Sequence, residues 1–225
     1  GNHFIEIRED EKGVKYLIIH TGSRNLGTQV ASYYQKVAIA ETGDRYPNDL
    51  AYLEGDSLED YLHDMKIAQQ FARINREIIA TIILEQAFGK SLPAYEYFET
   101  IHNYIDLENN FIRKGAISAQ KQERVLIPFN MRDGALICRG LGNKDWNYSA
   151  PHGAGRVLSR TQARKQLSLK EFKKQMRNVY TTSVAKSTLD EAPDAYKDAR
   201  DIMAMIGPTV EIEKVLTPVY NFKAK

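Results

Sequence analysis

The sequence predicts a mixed α+β fold with mainly antiparallel strands and helices packed outside them. Two observations carry this. Short apolar runs at residues 14–19, 124–128 and 135–138 are bounded by Gly, Asn and Pro, the signature of brief strands joined by turns. From residue 58 to 88, in contrast, Leu62, Met65, Ala68, Ala72, Ile79 and Ile83 recur at three- and four-residue steps, which only a helix places on one face. With 225 residues, 43% of them hydrophobic, the chain is long enough to bury a full core and too apolar to stay disordered. No linker or repeat divides it, so a single domain over residues 1–225 is expected.

Taken in order, residues 3–7 (HFIEI) already alternate as a strand, with no initiating methionine before them. The run 14–19 ends at His20 and enters the turn Thr21-Gly22-Ser23-Arg24. Helical spacing follows over 28–41 and then the long helix, with Ser57 as N-cap and Gly89 as its stop. His63 on that helix, beside Asp60 and Asp64, reads as a solvated side chain. Residues 98–105 read as a strand carrying His102-Asn103, and 130–134 as the turn between two apolar strands. Ser168-Leu169-Lys170-Glu171 has capping-box spacing, a helix is expected over 193–206 ahead of Gly207-Pro208, and a closing strand pair over 210–222.

The 31 basic and 29 acidic residues nearly cancel, so a polyanionic partner would have to be held by local clusters. One such cluster runs from Arg156, Arg160 and Arg164 through Lys165 to Lys170, Lys173, Lys174 and Arg177. Charge runs usually form a solvated helix face, the reading kept for 170–177, whereas Arg156 and Arg160 follow His152 closely enough to suit phosphate. The lone Cys138 lies in an apolar run and reads as a core side chain in a reducing, cytoplasmic setting. No apolar run reaches the roughly 18–20 residues of a membrane span.

Four of the five histidines, His3, His20, His102 and His152, fall at element ends beside Asn, Gly or Ser. Imidazoles gathered there suit a divalent transition metal, although scattered histidines also serve as buried hydrogen-bonding groups. His152 is followed by Gly153-Ala154-Gly155, so a phosphate meets little bulk near the ring and backbone N–H groups. A tight turn with an incidental histidine would read the same way.

These segments, Asn2 to Ile7, His20 to Arg24, Asn75-Arg76, His102-Asn103, Arg113 to Ala116, Ala150 to Arg156, and Glu191-Ala192-Pro193 with Ala195-Tyr196-Lys197, occur in an order that resembles the RtcB family. Its members are GTP-dependent RNA ligases that join a 3′-phosphate or 2′,3′-cyclic phosphate end to a 5′-hydroxyl in tRNA splicing and RNA repair. The resemblance implies that His152 attacks the α-phosphate of GTP and holds GMP as a phosphoramidate. It implies manganese ligation by His3, His20 and His102. Nucleotide contacts are implied at Asn2, His3, Phe4, Ile5, Glu6, His102, Asn103, Pro128, Phe129, Asn130, Met131, Ala135, Gly153, Ala154, Gly155 and Lys223, with Glu6 accepting from guanine. RNA phosphate contacts are implied at Arg24, Arg156 and Arg160, to which Arg113 would add.

Two departures stand out. The family's aspartate and cysteine metal ligands lie upstream of the segment at which this chain begins, and Cys138 is not placed to replace the cysteine. The turn often written Pro-Gly-Ser-Met reads Pro128-Phe129-Asn130-Met131 here, with Ala135 where a serine often contacts the base. Three readings follow: the catalytic portion of an RNA ligase acting on tRNA halves or broken RNA with an activating protein as a further partner, a nucleotide- and RNA-binding module without turnover, and a metal-dependent phosphoesterase.

Overall fold

The structure, a computed structural model, describes residues 3–223. It is a mixed α+β fold whose strands pair antiparallel apart from one short parallel pair among the described residues. The chain divides into two compact units, one running to Ile18 and resuming at Glu96, the other Ile19–Tyr95.

The first unit holds both sheets. In the larger, β2 (Lys15–His20), β1 (Phe4–Glu9), β9 (Val210–Lys223), β6 (Ala135–Gly140) and β5 (Arg124–Pro128) lie in that spatial order, and β8 (Tyr180–Thr181) adds to β9 in parallel. The expected closing strand pair is one strand of 14 residues. Its first half pairs β6, its second half pairs β1, and bulges at Ile7/Arg8 and Ile137/Cys138 let the sheet bend around it. β6 is buried along almost its whole length, which explains why ALIC reads as a continuous apolar run rather than an alternating one.

The second sheet has three strands, β3 (His102–Asp106), β4 (Phe111–Ser118) and β7 (Ser149–Pro151), with β4 in the middle. Residues 98–101, expected to belong to the strand, precede it. Ile117, Val125, Ile127, Leu136 and Cys138 from the two sheets share one core with Ile202 of α5 (Ala199–Met205). At about 25 cal/mol per Å² of apolar surface, side chains so fully enclosed are the main favourable contribution to folding. A second cluster joins Met131 to Phe172 and Met176, so that α4 (Leu169–Gln175) buries one face and leaves Lys170, Lys173, Lys174 and Arg177 in solvent, as expected.

Helix ends depart from the sequence reading where side chains are used elsewhere. Ser168 precedes α4 without a side-chain cap, and the capping box instead opens α3 (Arg160–Gln166), where Ser159 Oγ accepts from Gln162 N at 3.2 Å and Gln162 Oε1 from Ser159 N at 3.0 Å. The helix expected over 193–206 is a single turn, Pro193–Ala195, followed by α5. It breaks because Tyr196 bridges to Arg156 and Lys197 N donates to Gly155 O at 3.1 Å.

The second unit is a helical pair, α1 (Arg24–Thr42) and α2 (Gly55–Phe88). Small residues Ala38, Ala68 and Ala72 are buried, and Tyr34 Oη donates to Asp64 at 2.9 Å. Gly89 ends α2 in the left-handed region, with its N–H on Glu85 O, as the sequence implies. Ser57 is not the cap, since α2 begins two residues earlier and its hydroxyl donates to Glu41. His63 is exposed beside Asp64. No helix among the described residues is long and apolar enough to cross a membrane.

Candidate active site

The three-stranded sheet brings the site together. β4 pairs His102 with Ile117 on one side and Pro151 with Ala116 on the other, so the residues after β7 and at the start of β3 converge across it. The rings of His102 and His152 lie 5.0 Å apart, tilted by 35°. His152 Nδ1 lies 2.7 Å from the carbonyl oxygen of Gly115. A carbonyl only accepts, so Nδ1 donates to it, and in the neutral ring Nε2 is the nitrogen left with the lone pair.

Gly115 is held in turn. Its φ of +68° is a left-handed conformation that side chains resist, and its N–H donates to Asn103 Oδ1 at 2.6 Å. Asn103 is itself left-handed at φ +55°, at the register slip that separates His102 from Tyr104. Asn103, expected to touch nucleotide, therefore positions the backbone that orients His152. Burial lowers the proton affinity of His102 and repulsion from a charged His152 adds to the effect, against a smaller opposing contribution from Asn103. The pair consequently favours neutral imidazole at His102.

Gly153 follows with its backbone against Pro128, where a Cβ would stand 2.6 Å from the Pro128 carbonyl oxygen. The N–H of Ala154 donates to that oxygen at 3.2 Å, so this amide of the turn faces protein. Asn130 Oδ1 accepts from the N–H groups of Arg132 and Asp133, both at 2.9 Å, and thereby shapes the 130–134 turn. The side chains of Phe129, Met131 and Ala135 are in the core. At these three positions the backbone is therefore what remains for a neighbouring group to meet.

Where β1 begins and β9 ends, Lys223 Nζ stands 4.8 Å over the Phe4 ring and 3.0 Å from Glu191 Oε2. Ile5 pairs with Phe222 beside it. Glu6 is buried, with one carboxylate oxygen facing Arg8 and the other Asn221 Nδ2. A guanine reaching Glu6 would have to displace one of those donors.

The arginines also differ from expectation. Arg156 gives Nε to Leu158 O at 3.0 Å and Nη1 to Tyr196 Oη at 3.2 Å, with Nη2 on Asp190 O, so its guanidinium is taken up by protein. Arg160 is half exposed and pairs with Asp190 Oδ2 at 2.8 Å and Glu191 Oε1 at 3.1 Å. Arg113 is buried on Asp106 at 2.7 Å, Tyr104 Oη and Ser149 Oγ, and so braces the three-stranded sheet. The Asp190, Glu191 and Tyr196 contributions were missed in the sequence, where the basic cluster from Arg156 onward was read for phosphate or solvent.

His3 precedes β1 in the first unit, whereas His20 and Arg24 belong to the second. Asn2 lies outside the described residues. Among the described residues no group of three or more His, Cys, Asp or Glu side chains is gathered to hold a metal. Cys138 offers no thiolate, because burial, with Glu213 nearby, pushes its thiol up to about 12. The residues described do not by themselves fit the two-metal centre that the resemblance implies.

Fold and site define an α+β protein with a paired-histidine centre beside a glycine-rich turn. The chain belongs to the RtcB family: the model for tRNA-splicing ligase RtcB matches residues 1–224. It is 36% identical over 243 residues to RNA-splicing ligase RtcB of Escherichia coli strain K12, covering 99% of this chain and 59% of the relative. It is 30% identical over 271 residues to tRNA-splicing ligase RtcB of Aeropyrum pernix, covering 96% of this chain and 56% of that protein. The chain therefore spans less than two thirds of the length of these curated relatives.

Proposed function

We propose that this chain carries the nucleophilic half of a GTP-dependent RNA ligase, with His152 as the residue that accepts GMP. The observation that carries the reading is the bond from His152 Nδ1 to Gly115 O, which leaves Nε2 as a directed lone pair beside a turn with little side-chain bulk. In the first step His152 Nε2 bonds to the α-phosphorus of GTP and pyrophosphate departs. The Nδ1–H bond to Gly115 becomes charge-assisted as positive charge develops on the ring, which favours the adduct. His152 is next the leaving group when an RNA 3′-phosphate oxygen takes the guanylyl group. The 5′-hydroxyl of the second RNA then displaces GMP and closes the phosphodiester.

Lys223 and Phe4 are proposed to hold the guanine, and Arg160, more exposed than Arg156, to meet RNA phosphate. His3, His20 and His102 are nitrogen donors suited to the manganese of the family, but because no set of three is gathered among the described residues, no step is routed through metal. The substrates proposed are tRNA halves and broken RNA ends in the cytoplasm, with room for an activating protein. The second reading is a binding module that retains nucleotide and RNA without turnover.

Incubation with α-labelled GTP, comparing the chain with His152→Ala, tests both. Acid-labile label on the chain and none on the variant is the expected result. GTP retention without label would favour the binding module, and neither retention nor label would overturn the proposal.

A further inference from the structure

One buried carboxylate faces two parts of the site at once. Glu191 is 2% exposed and has four cationic or hydroxyl partners. Its Oε2 takes Lys223 Nζ at 3.0 Å and Tyr196 Oη at 2.8 Å, while Oε1 takes Arg160 at 3.1 Å and Arg156 at 3.6 Å. The neighbouring Asp190 is equally buried but serves one side only, pairing Arg160 at 2.8 Å and Arg164 at 3.1 Å. Lys223 enters this network from the end of β9, where the carboxylate holds its ammonium over Phe4.

We propose that Glu191 is a positioning residue that sets both the nucleotide-side Lys223 and the RNA-side Arg160, a shared counter-ion through which the two substrates are aligned. The inference rests on the ligase reading above. Physically, a buried carboxylate holding two cations fixes their separation, because moving either one leaves the 2% exposed Glu191 short of a counter-charge. A guanine at Lys223 and a phosphate at Arg160 would then be placed relative to each other by a single side chain. Asp190, facing arginines alone, cannot do this.

Glu191→Gln keeps the shape and the Tyr196 contact but removes the charge. Affinities for a fluorescent GTP analogue and for an RNA ending in 3′-phosphate are measured by titration, with thermal unfolding as a check on structure. Glu191→Gln is expected to weaken both by about ten-fold, since each pair is a charge-assisted bond. Asp190→Asn is expected to weaken RNA by a similar factor and to leave GTP analogue affinity within two-fold. A merely structural role would move thermal stability in both variants without separating the two ligands.

Should Glu191→Gln not fold, Glu191→Gln with Lys223→Met removes both members of the pair and carries the test. Nucleotide affinity of the double variant equal to that of Lys223→Met alone supports the inference, and a further additive loss overturns it. Unchanged nucleotide affinity in Glu191→Gln likewise overturns it. Failure of the unsubstituted chain to bind the GTP analogue would instead remove the ligase reading on which it rests.

Discussion

The imidazole of His152 donates from Nδ1 to the carbonyl oxygen of Gly115 at 2.7 Å, and Gly115 is locked in a left-handed conformation by Asn103. The tautomer of the candidate nucleophile is thus set by backbone geometry in a neighbouring strand.

Gly153→Ala tests how closely the histidine turn must approach the 128–134 turn. A methyl group 2.6 Å from Pro128 O forces the turn away and takes His152 with it. The expected cost is about 1–3 kcal/mol of stability, read by urea unfolding, and at least about 100-fold slower guanylylation. Wild-type labelling in a folded variant would contradict this.

Acid sensitivity should trace in part to Asp106. Burial pushes its carboxyl up, but the Arg113 guanidinium and Asn109 more than offset this and hold it below the ordinary 3.8. A depressed carboxylate stabilises the fold fully above 3.8 and loses that contribution as pH falls through the lowered value. Asp106→Asn should therefore flatten the loss of stability below about pH 4 and cost about 3–5 kcal/mol at pH 7, where Arg113 is left buried without its counter-charge. An unchanged acid limb would show that the pair does not matter.

Cys138 should be inert. With its thiol pushed up to about 12 and its side chain in the core, a disulfide reagent at pH 8 should modify the native chain only on unfolding. Rapid modification of the folded chain, or loss of GTP labelling in Cys138→Ala, would give this thiol a role the structure does not assign.

Arg156→Lys distinguishes a brace from an RNA contact. Lysine cannot reach Leu158 O, Asp190 O and Tyr196 Oη together, so a stability loss of about 1–2 kcal/mol is expected. The salt dependence of RNA binding should hardly change, because positive charge is kept and the guanidinium is already taken up by Leu158 O, Asp190 O and Tyr196 Oη. A lowered salt slope with full stability would restore the phosphate role.

Much of the fold was legible in the sequence because its elements are locally determined. The ALIC run, the long periodic helix and its Gly89 stop each have a nearest-neighbour cause. What local reading missed depended on distant partners: β9 is one strand because β6 and β1 flank its two halves, and the helix expected over 193–206 breaks because Tyr196 is drawn to Arg156 and Glu191. In the site, His152 beside His102 was anticipated from motif order, whereas the roles of Asn103, Arg156 and Glu191 follow from pairings no spacing reveals.

The central claim is that the neutral His152 ring keeps its proton on Nδ1 and its lone pair on Nε2, and nitrogen NMR of the histidine-labelled chain, recorded at a pH where the ring is neutral, reads it directly. The account predicts a His152 signal with the proton on Nδ1 and an unprotonated Nε2, shifting to the pattern of the other tautomer when Gly115 is displaced. A His152 ring protonated at Nε2 in the native chain would contradict it.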